Sequence, residues 1–329
     1  MRIRLVVPAD VDEPTGGNHY DLALADALHS AGDTVQVRRC GPAALDTVLA
    51  EPWAGPIIVD GLLACPRPEA VASSGAAVLV HMPLALETGL PADRRDELDR
   101  LEREALRRAR VVIATSCWSA HHLLRHHGLP GVAVARPGAE PAATTTGSDP
   151  PLLLHVAALL PHKDQLGVVA ALSRLRDLPW QARLAGSLDR DRGYAAAVAA
   201  AVRRAGLHDR VELLGTVLRE RAWESVDLAL LPSRVETYGM VVSEALAHGI
   251  PSVVTPGGAA EALGATADGR RPGVVVPAGD PKSLAAALRR WLTDSAHREG
   301  LRAAAMERRD ALTGWDVTAR QVRRALSRA

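Results

Sequence analysis

Twelve short apolar runs set the limits on what this chain can become. They lie at 3–7, 34–38, 56–59, 77–80, 111–114 and 132–135, then at 152–156, 181–185, 211–214, 228–231, 252–254 and 273–276. Most are apolar throughout rather than alternating, which marks strands of a parallel sheet covered on both faces. Ala-, Leu- and Arg-rich segments of helical period lie between them, among them 20–30, 94–108, 164–175, 194–205 and 281–292. Strand and helix in alternation specify a doubly wound α/β fold. The rhythm breaks once, at RPGAEPAATTTGSDPP (136–151), where Pro, Gly, Thr and Ala replace apolar periodicity. The reading is therefore two α/β domains of about six strands each, at 1–140 and 152–314, with a linker at 141–151. An amphipathic segment at 315–329 is expected to pack back on the N-terminal domain. Ligands of such sheets bind beyond the carboxyl ends of the strands, so the loops that follow strands are where chemistry is sought.

With 47% hydrophobic and 23% charged residues, the 329-residue chain has a globular rather than a disordered composition. A formal net charge of +1 offers no basic excess for nucleic acid. The start, MRIRLVVPAD, has too short an apolar run for a signal peptide, and no run reaches the ~18 residues of a membrane span. Cys40, Cys65 and Cys117 are odd in number and far apart, and read as reduced thiols of a cytoplasmic protein. Of 39 basic residues, Lys163 and Lys282 are the lysines, and phenylalanine is absent. Against that bias, a lysine in a loop after a strand is more telling than usual.

The stretch VETYGMVVSEALAHGIPSVVT (235–255) carries two acids, Glu236 and Glu244, in apolar surroundings. Burying a carboxylate costs several kcal/mol unless it is partnered. Glu236 lies just before a helix that starts near Tyr238 and Gly239, and Glu244 lies in its second turn. The backbone amides near Gly239, Met240 and Val241 form a helix N-terminus, which attracts phosphate. Carboxylates accept from paired hydroxyls, so a nucleotide sugar fits: amides on the diphosphate, one acid on the sugar, one on the ribose. The plainer alternative is a capping glutamate and a partly buried, ion-paired one. Gly16 and Gly17 follow the first strand but form no GxGxxG fingerprint, so a nicotinamide dehydrogenase is not supported. By itself the pair reads as a turn. His81, directly after a buried strand, reads alone as structural, and Lys163, at a loop-to-helix junction, reads either as a solvated lysine or as a point charge for a leaving diphosphate.

PSRVETYGMVVSEALAHGIPSVVTPGGAAE (232–261) resembles the E-x7-E region of retaining GT-B glycosyltransferases of family 4, including the trailing Gly257, Gly258 and Glu261. The resemblance extends over most of the chain. It implies a GT-B architecture of two Rossmann-like doubly wound domains facing across a cleft. It implies Glu236 on the transferred sugar, Glu244 on the ribose, and Thr237, Tyr238, Gly239, Met240 and Val241 around the donor. Gly16, Gly17 and Asn18 match the family's N-terminal glycine loop, and His81 its histidine beside the sugar. Ser116, in TSCWSA, resembles a recurrent strand end, and Gly186 and Ser187 fall in a loop near the donor. Lys163 matches the lysine of the family pattern G-R-L-x-x-x-K, but Ala157 and Ala158 replace its glycine and arginine. Arg234 and Arg136 are the candidates to supply the missing cation.

Two metal-like patterns read otherwise. Asp189 and Asp191 form a nominal D-x-D, but they precede a helix, where Asp is a favourable first-turn residue. His122 and His126 are four apart, yet zinc wants three or four ligands and no third has good spacing. The resemblance thus implies a metal-independent hexosyl transfer with retention. The donor is a nucleotide-diphosphate sugar, no cofactor is obligatory, and the acceptor is expected to be small and soluble. The competing readings are an epimerase or hydrolase of nucleotide sugars on the same fold, and a non-catalytic nucleotide-sugar-binding protein, which Ala158 favours.

Overall fold

The computed structural model describes residues 1–86, 90–217 and 219–328. The chain divides into two compact units, Met1–Gly138 together with Thr313–Ala329, and Ala139–Leu312. The first unit contains β1 (Arg2–Pro8), β2 (Thr34–Cys40), β3 (Ile57–Asp60), β4 (Ala77–Val80), β5 (Val112–Ala114) and β6 (Ala133–Val134). They pair in the order β2-β1-β3-β4-β5-β6. The second contains β7 (Leu152–Val156), β8 (Gln181–Ala185), β9 (Val211–Gly215), β10 (Leu228–Leu231), β11 (Ser252–Val254) and β12 (Gly273–Val275). Their order is β12-β11-β10-β7-β8-β9. All the described pairings are parallel.

Each apolar run found at the sequence level is a strand, and burial shows why. Ile3, Leu5, Val6 and Val7 of β1 are all inaccessible to solvent, so both faces of the strand are covered. In the second unit Leu153, Leu184, Leu230 and Val253, from four neighbouring strands, share one core with Trp180 and Trp291. Without phenylalanine, these tryptophans supply much of the bulk. Trp180 Nε1 donates to the Leu175 carbonyl at 2.7 Å, and the Arg210 guanidinium lies 3.8 Å from its ring centroid.

The strand orders fix where ligands can sit. In the first unit the chain passes from β1 to β2 on one side and then to β3 on the other, so the reversal lies between β1 and β3. In the second unit β8 and β9 extend one way from β7, and β10 to β12 the other. Loops leaving the strands at such a reversal part from one another and leave a crevice at the carboxyl ends.

The helix Trp315–Arg328 belongs to the first unit. Trp315 meets the edges of Tyr20 and His19, at 5.3 and 5.7 Å between centroids, and Thr318 Oγ1 donates to the Arg136 carbonyl at 2.6 Å. Gly138 is needed beside it, because a Cβ there would stand 2.3 Å from the Trp315 nitrogen. No helix among the described residues is long and apolar enough to cross a membrane.

Candidate functional site

In the second unit the loops after β7, β8 and β10 converge at the strand-order reversal. After β7 the chain passes Ala157 and Ala158, makes the turn Pro161–Lys163, and enters the helix Gln165–Leu172 through Asp164 at φ 57°. The turn is held from several sides. His155 Nε2 donates to the Lys163 carbonyl at 3.0 Å, Gln165 Nε2 to the Ala158 carbonyl at 3.0 Å, and the Arg234 amide to the His162 carbonyl at 2.7 Å. The β8 loop closes on it as well: the Leu159 amide donates to the Ser187 carbonyl at 3.0 Å. Gly186, at φ +149°, permits this, since a Cβ there would sit 2.0 Å from the Ala157 oxygen.

Lys163 and Glu236, 73 positions apart in sequence, meet at 2.8 Å between Nζ and Oε2. Both side chains remain partly open, at 22% and 13% exposure. The loop bearing Glu236 is backed by the helix Gly258–Leu263: the Gly258 amide donates to the Glu236 carbonyl at 3.0 Å. A Cβ on Gly258 would fall 2.0 Å from the Thr237 oxygen, which explains the trailing glycine of the motif. Gly239, at φ 83°, opens the helix Met240–Ala247. The amides of Met240 and Val241 occupy its first turn, where helical amides have no acceptor within the helix. Thr237 is buried, Tyr238 is half-buried with its hydroxyl accepting from Ser243 Oγ at 3.3 Å, and Glu244 is half-buried in the second turn. Burial, then the Lys163 charge, lowers the His162 pKa to about 4, so the ring beside Lys163 is neutral.

In the first unit His81 follows β4, next to the reversal between β1 and β3. Its Nε2 lies 2.9 Å from Asp21 Oδ1 and 3.4 Å from Asp60 Oδ2. Gly17, in the first turn of the helix that follows β1, lets that turn approach the ring, because a Cβ there would stand 3.3 Å from His81 Cδ2. The Tyr20 ring packs edge-on at 5.0 Å, and its hydroxyl donates to the Ala135 carbonyl at 2.9 Å. Gly16 starts the helix Gly16–Ser30, and Thr15 caps it by accepting from the Asn18 amide at 3.1 Å. Asn18 itself is buried. Its Nδ2 donates to the Asp10 and Glu13 carbonyls, so the side chain shapes the loop from within. Burial works against a charged His81, but the charge and hydrogen bond of Asp21 and the charge of Asp60 outweigh it and raise the pKa. Burial raises Asp60 to about 7 against the opposing charge of His81. Neither acid stood out from spacing alone. The available signals were an acid closing the apolar run IIVD and another within the apolar face of the first helix.

Comparison with known proteins bears on both units. Residues 150–294 match the model of the family described as Glycosyl transferases group 1. A D-inositol 3-phosphate glycosyltransferase from Kineococcus radiotolerans is 33% identical over 187 residues, covering 52% of this chain and 43% of the relative. Another, from Nocardioides sp., is 39% identical over 94 residues, 29% of this chain and 20% of the relative. The chain thus spans less than half the length of these curated relatives. Among solved structures, sucrose-phosphate synthase from Thermosynechococcus elongatus aligns over 100% of this chain and 99% of its own, with TM-score 0.83 and 18% identity. Anabaena HepE in complex with UDP-glucose aligns over 99% and 100%, with TM-score 0.80 and 18% identity. The fold is of the GT-B class. Its two Rossmann-like units are the two six-stranded parallel sheets with their helices.

Within this GT-B chain the remaining sequence candidates separate. Arg234 Nη2 lies 3.4 Å from Asp164 Oδ1, which puts its guanidinium next to the Lys163 turn. Arg136 belongs to the first unit, where its Nη2 contacts Cys117 Sγ at 2.9 Å. Ser116 is fully buried and caps the helix Cys117–His127 by accepting from the Ser119 amide at 2.9 Å. Ser187 Oγ accepts from the Asp189 amide within its own loop, at 3.3 Å. Asp189 pairs with Arg192, and Asp191 caps the helix Arg192–Arg204. His122 and His126 stack at 5.4 Å, and His126 Nε2 pairs with Asp99 Oδ1 at 2.5 Å, as on an ion-paired helix face.

Proposed function

We propose that the chain is a glycosyltransferase that moves a hexosyl unit from a nucleotide-diphosphate sugar to a small soluble acceptor. The observation that carries this is the Lys163–Glu236 pair at 2.8 Å, placed at the strand-order reversal within the region matching the transferase family. Lys163 is a point charge in reach of a diphosphate, and the Met240 and Val241 amides add the partial positive charge of a helix start. An incoming diphosphate supplies a new counter-charge for Lys163. Glu236 is thereby released to accept from hydroxyls of the sugar, while Glu244 takes the ribose. Arg234 is the cation that stands in for the arginine absent at Ala158. Charge stabilisation of this preorganised kind supplies several kcal/mol of a transfer barrier.

In this reading no metal and no cofactor is required, and configuration at the anomeric carbon is retained. The bond from that carbon to the diphosphate breaks as the bond to the acceptor oxygen forms, and the acceptor proton passes to the leaving phosphate. His81, Gly16 and Gly17 are the candidates in the first unit that the family resemblance implies. The relatives named for D-inositol 3-phosphate support a small phosphorylated polyol as acceptor, and the HepE complex supports a UDP-sugar as donor. A cytoplasmic location belongs to the same proposal. A second reading, a nucleotide-sugar-binding protein without turnover, is favoured by one observation, the loss of the arginine at Ala158.

The test is a panel of UDP-, GDP- and ADP-sugars, with and without Mg²⁺, read by thermal shift and by release of nucleoside diphosphate. Stabilisation by one donor is expected, with release that Lys163→Ala and Glu236→Ala each reduce about 100-fold or more. Stabilisation without release under any acceptor supports the binding protein. No response to any nucleotide sugar sinks both readings.

A further inference from the structure

The cluster behind His81 holds more carboxylate than one histidine can balance. Asp21 is fully buried and Asp60 is 1% exposed. Asp60 Oδ1 accepts from the Leu62 amide at 2.6 Å, but Oδ2 of Asp60 and Oδ2 of Asp21 are buried without a hydrogen-bond donor. With both acids ionised, two buried negative charges would face one imidazolium, an arrangement that low dielectric penalises heavily. A single proton on one of the acids removes the surplus.

Geometry assigns that proton. Asp21 makes the 2.9 Å contact to His81 Nε2, while Asp60, more distant at 3.4 Å, is the acid left to hold the proton. The other titratable groups packed on the cluster are Tyr20 and Cys65, both kept neutral by burial; Glu102, which reaches Cys65, is spent on buried His127. Nε2 of His81 is thus committed to the cluster. Nδ1 makes no hydrogen bond to any described residue, and the side chain is 13% exposed.

We infer that Asp21 and Asp60 are a one-proton carboxylate pair that positions His81 as a doubly protonated imidazolium, with Nδ1–H open as a charged donor to an oxygen of the substrate. His81 is then a hydrogen-bond donor and not a general base. Asp21 and Asp60 are positioning residues, acting through His81. The assignment of a substrate rests on the transferase reading, whereas the state of the cluster does not.

Long-range ¹H–¹⁵N spectra of the full chain at neutral pH read the His81 ring directly. Both nitrogens are expected to be protonated in the wild type. Asp21→Asn, which removes the counter-charge, is expected to convert the ring to a neutral tautomer. Asp60→Asn mimics the protonated acid and is expected to leave His81 charged and the fold intact, so it keeps the proposal open to refutation if Asp21→Asn fails to fold. A neutral His81 in the wild type, or its discharge by Asp60→Asn, overturns the inference. Stoichiometric perturbation of the His81 signals by Zn²⁺ or Mn²⁺ also overturns it and makes the cluster a metal site. Where nucleoside diphosphate release is measurable, Asp21→Asn is expected to lower kcat at least about tenfold at unchanged donor KM. If release is absent throughout, the transferase reading fails while the spectra still decide the cluster.

Discussion

Glu236 is the side chain on which the proposed donor site turns, and its contact with Lys163 makes a specific prediction. Glu236→Gln keeps the shape and removes the charge that competes with a diphosphate for Lys163. Affinity for free nucleoside diphosphate is expected to hold or rise severalfold, while turnover of the sugar nucleotide falls about 100-fold; calorimetry and release assays separate the two. An equal loss of both would place Glu236 in the architecture of the loop rather than on the sugar. Gly258 is the purer structural case. A methyl group there would meet the Thr237 oxygen at 2.0 Å and its carbon at 2.1 Å, both backbone atoms without freedom to yield. Gly258→Ala is expected to cost about 2–3 kcal/mol or more in chemical denaturation, as overpacking against backbone does.

Among the elements, β7 carries the turn that presents Lys163, and His155 ties the two together. His155 is 1% exposed, and burial lowers its pKa from 6.5 to about 4. A histidine with a depressed folded-state pKa contributes stability that is complete above its unfolded value. That contribution is lost as pH falls from 6.5 toward about 4, because the unfolded chain then takes up a proton the folded one refuses. The contribution is up to roughly 3 kcal/mol. Asp60 works in the opposite sense: its folded pKa is raised from 3.8 to about 7, so it costs stability as pH rises through that window. A raw curve mixes the two. Comparing wild type with His155→Gln isolates one: the difference in Tm is expected to narrow as pH falls from about 6.5 to about 4, and a constant gap would refute the buried neutral histidine.

At the scale of the whole chain, the final helix Trp315–Arg328 completes the unit built from the first 138 residues. Trp315 is 7% exposed and packs on Tyr20 and His19. Trp315→Ala is expected to cost about 3–5 kcal/mol, the usual range for removing a buried tryptophan. Hydrogen exchange should show the loss in β1 to β6, with protection in β7 to β12 retained. Loss confined to β7 to β12 would contradict the assignment of this helix to the first unit.

Much of this architecture was legible in the order of residues. Whether a segment becomes a buried strand or an amphipathic helix depends on side chains a few positions apart, so periodicity placed twelve strands and the break between two α/β halves. Lys163, Glu236 and His81 stand just after strands, and the family resemblance made them candidates there. Partners were not legible in this way. Lys163 meets Glu236 across 73 positions, and His81 meets Asp21 across 60, because β10 lies beside β7 and β3 lies between β1 and β4. Spacing also left Arg136 and Arg234 equal, although one lies on Cys117 and the other beside Asp164. Strand formation is local and follows from pattern. Which charges face each other depends on the order in which strands assemble, and that order brings together loops that the chain itself keeps far apart.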